Sequence, residues 1–147
     1  MRVYSDGASK GNPGNAGIGV VGLKNEVSLK DFKESNHSCD FFFAEPIGLK
    51  TNNYAEYFAF LTALKIATKK NLKNLTFLLD SELIVNQING LYKVKNKGLQ
   101  PLFFESMDLI QKLEGVKVSH IRREFNQIAD YLANQAVLGQ KVLSYGV

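Results

Sequence analysis

The order of strand-like and helix-like segments constrains the fold of this chain more than any other feature of its sequence. Strand patterns come first, at about residues 2–6, about 16–23 and a third somewhere within 27–48. From about residue 52, helical patterns (about 52–70, 81–90, 101–113 and 126–138) alternate with strand patterns (about 74–80 and 116–122). This order predicts an α/β fold in which helices pack on the faces of one mixed sheet.

Size and charge set broad limits on function. The 147 residues predict one domain, residues 1–147, that is large enough for a substantial core. The 18 Lys and Arg against 14 Asp and Glu permit a polyanionic partner, but charge alone fits an ordinary basic protein better. The single cysteine, Cys39, excludes an internal disulfide and suits a reducing compartment. Without an apolar signal core or a membrane-length apolar run, we expect a cytoplasmic protein that does not bind membranes.

Four carboxylates, Asp6, Glu56, Asp80 and Asp130, stand in apolar surroundings with no cation placed to neutralise them. Asp6 and Asp80 end predicted strands, whereas Glu56 and Asp130 lie on helices where no basic residue is three or four positions away. An ionised carboxylate removed from water is costly unless it is paired or binds a metal ion. The four acids therefore predict a site for divalent metal.

A segment rich in glycine, asparagine and proline follows Asp6, at residues 7–17. These residue types favour tight turns and close approach of another backbone, so we expect a hairpin loop beside the acid. The segment lacks the spacing of a Walker-type phosphate loop.

Four sequence blocks resemble the successive signatures of the type 1 ribonuclease H family and occur in that family's order. They are Asp6-Gly7-Ala8-Ser9-Lys10-Gly11-Asn12-Pro13-Gly14, Thr51-Asn52-Asn53 with Ala55-Glu56, Asp80-Ser81-Glu82-Leu83, and Asn126 with Ala129-Asp130 and Leu132-Ala133. The resemblance implies a ribonuclease H-like fold with a five-stranded mixed sheet, strand order 3-2-1-4-5, and helices on both faces. It also implies hydrolysis of the RNA strand of RNA·DNA hybrids, leaving 3′-hydroxyl and 5′-phosphate ends.

The resemblance also implies two Mg²⁺ ions, for which Mn²⁺ could substitute. One ion of such a pair activates water and the other stabilises the leaving oxygen, and several carboxylates are needed to hold both. In the family pattern Asp6 and Asp80 contact both ions, Glu56 serves the leaving-group side and Asp130 the nucleophile side. His120 matches a histidine that assists proton transfer or product release in some members, but its position near a strand equally suits a structural histidine.

Recognition of the hybrid is expected through the shape of its minor groove, where 2′-hydroxyls are displayed. Glu82 stands where many bacterial members have glutamine, and a carboxylate can accept a hydrogen bond there but cannot donate one. The resemblance implies substrate contacts by Gly7, Ala8, Ser9, Gly11, Asn12, Asn52, Asn53, Ser81, Glu82, Lys93, Lys95, Arg123 and Asn126.

Two segments distinguish this chain within the family. Residues 80–130 are too few to include a long basic helix and loop, so the chain resembles the form without that basic protrusion. The lysines of residues 92–97 suit a solvated surface by themselves, but in the family context they suit the DNA backbone.

The second distinguishing segment lies within residues 24–50, where the excess over the family pattern falls near residues 31–43. It predicts a lengthened hairpin, in which Phe41, Phe42 and Phe43 are strand and core residues. His37, Cys39 and Asp40 are too few and too closely spaced to predict a further metal site.

The sequence thus predicts an active, metal-dependent hybrid nuclease, which we expect to be monomeric. Two alternatives remain at this level: a noncatalytic module that binds RNA·DNA hybrids, and a different nuclease of the same superfamily. The intact acids argue against the first, and the absence of any visible arm for duplex DNA argues against the second.

Overall fold

A six-stranded mixed sheet forms the centre of the computed structural model, which describes residues 1–147. Its strands are β1 (Arg2–Gly11), β2 (Gly14–Leu23), β3 (Phe41–Lys50), β4 (Thr76–Leu79), β5 (Lys117–His120) and β6 (Leu143–Tyr145). They are ordered β5-β4-β1-β2-β3-β6, with β1 antiparallel to β2 and parallel to β4. The predicted order 3-2-1-4-5 is confirmed for the first five strands, but five was too few, because β6 adds a short antiparallel strand beside β3.

The helices cover both faces of this sheet. They are α1 (Leu29–Glu34), α2 (Asn52–Lys69), α3 (Glu82–Ile88), α4 (Gln100–Lys112) and α5 (Gln127–Gly139), and short 3₁₀ turns lie at Asn36–Ser38 and Arg123–Phe125. On one face, Tyr57, Phe60 and Leu64 of α2 pack in one core with Phe77 and Leu79 of β4. On the other, α5 packs in a second core with β2, β3 and α1.

Two glycines of the sheet let helices approach it at backbone distance. A Cβ on Gly7 would lie 2.3 Å from the carbonyl carbon of Ala55 in α2, and a Cβ on Gly19 would lie 2.2 Å from the carbonyl oxygen of Ala129 in α5. No side chain fits in these spaces. The approach brings Glu56 and Asp130, which directly follow Ala55 and Ala129, close to the middle of β1.

The glycine-rich segment is mostly paired strand rather than the expected loop. β1 continues to Gly11 and β2 begins at Gly14, so only Asn12 and Pro13 form the turn. The register continues through Lys10 opposite Asn15, and the Ser9 hydroxyl donates to the carbonyl of Lys50 at 3.0 Å. Backbone pairing between β1 and β2 thus overrides the local preference of these residues for turns.

The segment between β2 and β3 is not a simple lengthened hairpin, which corrects the sequence prediction. It contains α1, whose first turn is capped by the Ser28 hydroxyl accepting from the Asp31 backbone N–H at 3.1 Å. Phe32 of α1 packs edge-on against Phe42, with ring centroids 5.5 Å apart. The extra residues therefore form a small cover over the second core.

The other residues singled out in this region have structural partners. Phe41 and Phe42 are buried in β3, as predicted, and Phe43 is half-buried. His37 stacks on Tyr145 of β6, with ring centroids 4.1 Å apart. The buried Cys39 thiol donates to the carbonyl of Asn36.

None of the helices combines the length and the apolar character needed to cross a bilayer.

Candidate active site

Three carboxylates converge near the middle of the sheet. Asp6 lies in β1, and Asp80 directly follows β4, which is parallel to β1 and pairs Leu79 with Ser5. Glu56 reaches the same point from α2. Asp6, Glu56 and Asp80 each offer an oxygen within 4.8 Å of the others. The structure thus brings together three of the four acids predicted from the sequence in one cluster.

The fourth acid, Asp130, approaches this cluster from α5. It lies close enough to Asp6 for its charge to help raise the pKa of Asp6. One turn further along α5, Asn134 donates from Nδ2 to the Asp130 carboxylate at 3.2 Å and to its backbone carbonyl at 2.8 Å. All four predicted acids therefore face one site.

Burial and mutual repulsion disfavour the charged forms of these acids. Asp6 is only 5% exposed, and this burial, followed by the charges of Asp80, Glu56 and Asp130, raises its pKa to about 9. Burial and the charge of Asp80 raise the pKa of Glu56 to about 7. The site therefore holds negative charge at an energetic cost when no cation is bound.

None of the four acids forms an ion pair within 4.0 Å. One cation does lie in range: Arg123, from the turn before α5, lowers the pKa of Glu56, as does a hydrogen bond from Ser81. The two effects that lower the pKa of Glu56 are smaller than the burial and the charge of Asp80, which raise it. A cluster of oxygen ligands with excess negative charge fits a hard divalent cation.

Asn126 lies beneath the cluster rather than on the surface. Its side chain is 1% exposed, and Nδ2 donates to the backbone carbonyl of Ser5 at 3.0 Å and to the Asp80 carboxylate at 2.9 Å. Asn126 therefore links β1 to the acid that follows β4. Gly7, also expected at the substrate, is likewise buried, where it contacts the backbone of α2.

The remaining candidates for substrate contact, which we call the rim residues, are half-buried or exposed. Asn12 accepts from the Asn52 backbone N–H at 3.0 Å, which joins the β1–β2 turn to the start of α2. Ser81 caps α3 by accepting from the Ile84 backbone N–H at 3.3 Å. Ala8, Ser9, Asn52 and Ser81 are half-buried, whereas Gly11, Asn12, Asn53, Glu82, Lys93, Lys95 and Arg123 are exposed.

His120 is the last residue of β5 and is exposed. It pairs in register with Leu79, the residue before Asp80. Its exposure does not fit the alternative of a packed structural histidine.

The lysine-rich segment between α3 and α4 is held by two glutamines that sequence reasoning did not identify. Gln87 donates to the Lys93 carbonyl at 3.4 Å, and Gln100 donates to the Val94 carbonyl at 3.0 Å. Gln87 is buried on α3, but its burial follows from the fold, so the sequence alone carried no signal of this role. The backbone is thereby fixed while Lys93 and Lys95 remain exposed.

Comparison with known proteins gives a consistent set of relatives. Residues 4–136 match the family described as reverse transcriptase-like. The bifunctional protein Rv2228c of Mycobacterium tuberculosis is 34% identical over 137 residues, which are 92% of this chain but only 35% of that protein. The ribonuclease HI of Halobacterium salinarum is 30% identical over 137 residues, which are 93% of this chain and 64% of that protein.

Solved structures agree with these sequence matches. The crystal structure of ribonuclease H1 from Halobacterium salinarum superposes with a TM-score of 0.78 at 28% identity, over 95% of this chain and 98% of that one. LC11-RNase H1, in complex with an RNA/DNA hybrid, superposes with a TM-score of 0.78 at 33% identity, over 95% of this chain and 97% of that one.

Proposed function

Because this chain belongs to the reverse transcriptase-like family of ribonuclease H-like domains, we propose that it is a ribonuclease H. Its substrate would be the RNA strand of RNA·DNA hybrids, which it would cut internally with the help of divalent metal, leaving 3′-hydroxyl and 5′-phosphate ends. The observation that carries this proposal is the cluster of Asp6, Glu56 and Asp80, whose oxygens lie within 4.8 Å of one another without an ion pair. A hybrid in complex with LC11-RNase H1, a structural relative, supports the choice of substrate.

The donor set suggests how the chain would hold its cofactor, for which we propose two Mg²⁺ ions, with Mn²⁺ able to substitute. Asp6 and Asp80 would hold both ions, whereas Glu56 would complete one side of the site and Asp130 the other. When bound, two such ions lower the pKa of the attacking water and stabilise the charge on the leaving oxygen. Binding would also relieve the repulsion that raises the pKa of Asp6 and Glu56.

The chain's own residues would fix the geometry of this chemistry. Asn126 orients the Asp80 carboxylate by donating to it, because its second hydrogen bond anchors it to the backbone of β1. The close packing at Gly7 sets the distance from Glu56 to Asp6. His120, exposed at the end of β5, would exchange a proton with the leaving group or assist product release.

The rim residues would bind the hybrid. Asn12, Asn53 and Glu82 are exposed near the acids and would contact the minor groove, where 2′-hydroxyls distinguish RNA from DNA. Lys93 and Lys95 would contact phosphates of the DNA strand from their fixed backbone. Ala8, Ser9, Gly11, Asn52, Ser81 and Arg123 complete the proposed contact surface.

A substrate panel tests this proposal. The protein is incubated with labelled RNA·DNA hybrid, duplex RNA, duplex DNA and each single strand, with Mg²⁺, Mn²⁺ or EDTA. We expect cleavage of the hybrid alone, and only with a divalent ion. Cleavage of duplex DNA would point instead to another nuclease of the superfamily.

A noncatalytic hybrid-binding module is distinguished by one substitution. Asp80→Asn keeps the shape of the side chain but removes a ligand charge, so we expect it to bind hybrid and fail to cut it. If wild-type protein and Asp80→Asn both bind hybrid and neither cuts it, the catalytic proposal is wrong and the binding module is favoured.

A further inference from the structure

Asp130 is the one acid of the site whose carboxylate is held by a side chain of its own helix. Asn134 lies one helical turn further along α5, so both side chains point to the same face of the helix. Its Nδ2 donates to the Asp130 carboxylate at 3.2 Å and to the Asp130 carbonyl at 2.8 Å. This second bond anchors the amide to the backbone, so the first one fixes where the carboxylate can point.

The oxygen of the same Asn134 amide accepts a hydrogen bond from a cation in a distant part of the chain. Lys10, near the end of β1, donates from Nζ to Oδ1 of Asn134 at 2.6 Å. An ammonium group can only donate, and a carbonyl or an ionised carboxylate can only accept. These partners determine the orientation of the Asn134 amide, with its oxygen toward Lys10 and its nitrogen toward Asp130.

The three residues form a chain of hydrogen bonds from a cation to an acid of the site. The charge of Lys10 polarises the amide so that Nδ2 becomes a stronger donor to Asp130. The link also ties the β1–β2 hairpin, which carries the rim residue Asn12, to the helix that carries Asp130. Neither Lys10 nor Asn134 makes any other side-chain hydrogen bond.

We propose that Asn134 is a positioning residue for Asp130, and that Lys10 holds Asn134 in its working orientation. This inference rests on the proposed function, since it assigns Asp130 to the nucleophile side of the metal site. Groups that orient metal ligands typically change affinity or activity about 10–100-fold when removed. Lys10 is exposed and acts through an intermediate, so its removal costs less.

The test measures hybrid cleavage and, separately, Mn²⁺ binding by calorimetry without substrate. We expect Asn134→Ala to lower kcat about tenfold and to weaken Mn²⁺ binding, with KM nearly unchanged. Lys10→Met should lower kcat about threefold, and Lys10→Arg, which keeps a cationic donor, should restore most of that loss. Gln135→Ala is the matched control, because it removes a neighbouring amide of α5 that does not bond to the acids.

A double-mutant cycle separates positioning from general structure. In an Asp130→Ala background, Asn134→Ala should cause no further loss, because the carboxylate it positions is gone. Equal losses in both backgrounds, or a wild-type kcat in Asn134→Ala, would overturn the proposal. Thermal unfolding of each variant confirms that the comparison is made between folded proteins.

The two proposals can fail separately. If the wild-type protein does not cleave hybrid, the proposed function fails, while Mn²⁺ binding still tests the role of Asn134. Equal Mn²⁺ affinity in wild type and Asn134→Ala would then reject that role. If wild type cleaves hybrid and Asn134→Ala cleaves it equally well, only the positioning role is rejected.

Discussion

At the scale of one residue, Asp6 lowers the stability of the metal-free fold but would provide a ligand for metal. Its carboxyl group is buried beside three other acids, and its pKa rises from 3.8 to about 9 because the charged form is poorly solvated and repelled. A residue selected only for stability would not be an acid at this position. Such local conflicts are expected at functional sites, where binding of a partner compensates for them.

The raised pKa values predict how metal-free protein responds to pH. Asp6 and Glu56 bind protons more tightly in the folded chain than in the unfolded one, with folded pKa values of about 9 and about 7. The folded state therefore holds more protons between about pH 4 and pH 9, so its stability should fall as pH rises through that window. Thermal unfolding in EDTA at pH 5, 7 and 9 measures this; added Mg²⁺ should restore the melting temperature at pH 9.

A substitution at the same residue gives the complementary prediction. Asp6→Asn cannot ionise, so it should abolish cleavage and raise Tm at pH 8 by several °C, given about 2–4 °C per kcal/mol for a domain of this size. At pH 4, where the carboxyl is protonated in folded protein, the gain should largely vanish. An Asp6→Asn protein that is less stable than wild type at pH 8 would contradict the assigned cost of this charge.

The four acids could be predicted from the sequence as individual residues, but the hydrogen bonds that position them could not. Asp6, Glu56, Asp80 and Asp130 stand out because a charge in an apolar pattern needs a partner. Polar amides such as Asn126 carry no such signal, because an asparagine is equally common on a surface. Its hydrogen bonds to β1 and Asp80 join residues far apart in sequence, so only the fold reveals them.

At the scale of elements, the close packing of α5 on the sheet requires glycine at position 19 of β2. A Cβ on Gly19 would lie 2.2 Å from the Ala129 carbonyl oxygen, so Gly19→Ala must push the helix outward. We expect it to destabilise the protein by about 1–3 kcal/mol and to lower cleavage, because Asp130 moves with α5. Urea unfolding and hybrid cleavage measure the two effects.

Gly139, at the end of the same helix, provides the control. A Cβ there meets only ordinary contacts at 3.6 Å or more, and alanine favours helix over glycine by about 1 kcal/mol. Gly139→Ala should therefore preserve or increase stability and leave cleavage unchanged. Equal behaviour of the two alanine variants would contradict the packing that places α5.

The long helices and the short elements with strongly apolar patterns, such as β4, could be predicted from sequence, whereas two short elements without such a pattern could not. The periodic patterns predicted α2, α4 and α5 closely, because each has enough turns to show a buried face. The three-residue strand β6 and the six-residue helix α1 are too short for such a signal and form through contacts with β3 and the second core. The glycine-rich half of β1 has the local sequence of a loop and becomes a strand only through its pairing with β2, which is a tertiary effect.

At the scale of the whole molecule, the distribution of lysines makes a prediction about nucleic acid binding. Lys93 and Lys95 are exposed on a segment whose backbone is fixed by Gln87 and Gln100. Each phosphate contact steepens the dependence of binding on salt by about one unit in a double-logarithmic plot. Lys93→Met/Lys95→Met should therefore reduce the slope by about 1–2 for hybrid binding, measured in the inactive Asp80→Asn background.

The matched control removes two exposed lysines that lie outside the segment between α3 and α4. Lys69 and Lys112 lie in the last turns of α2 and α4, and both are exposed. Lys69→Met/Lys112→Met changes the net charge by the same amount, so it should leave the slope nearly unchanged. An equal loss of slope in both pairs would indicate a general charge effect and contradict a defined DNA contact at Lys93 and Lys95.

The central claim is that the acid cluster hydrolyses one strand of a hybrid with the help of divalent metal. The most direct test follows both strands of one RNA·DNA hybrid, each carrying a different label, before and after Mg²⁺ is added to protein held in EDTA. The account predicts no cleavage in EDTA, then cleavage of the RNA strand alone, with new 3′-hydroxyl ends and an intact DNA strand. Cleavage in EDTA, or cleavage of the DNA strand, would contradict it.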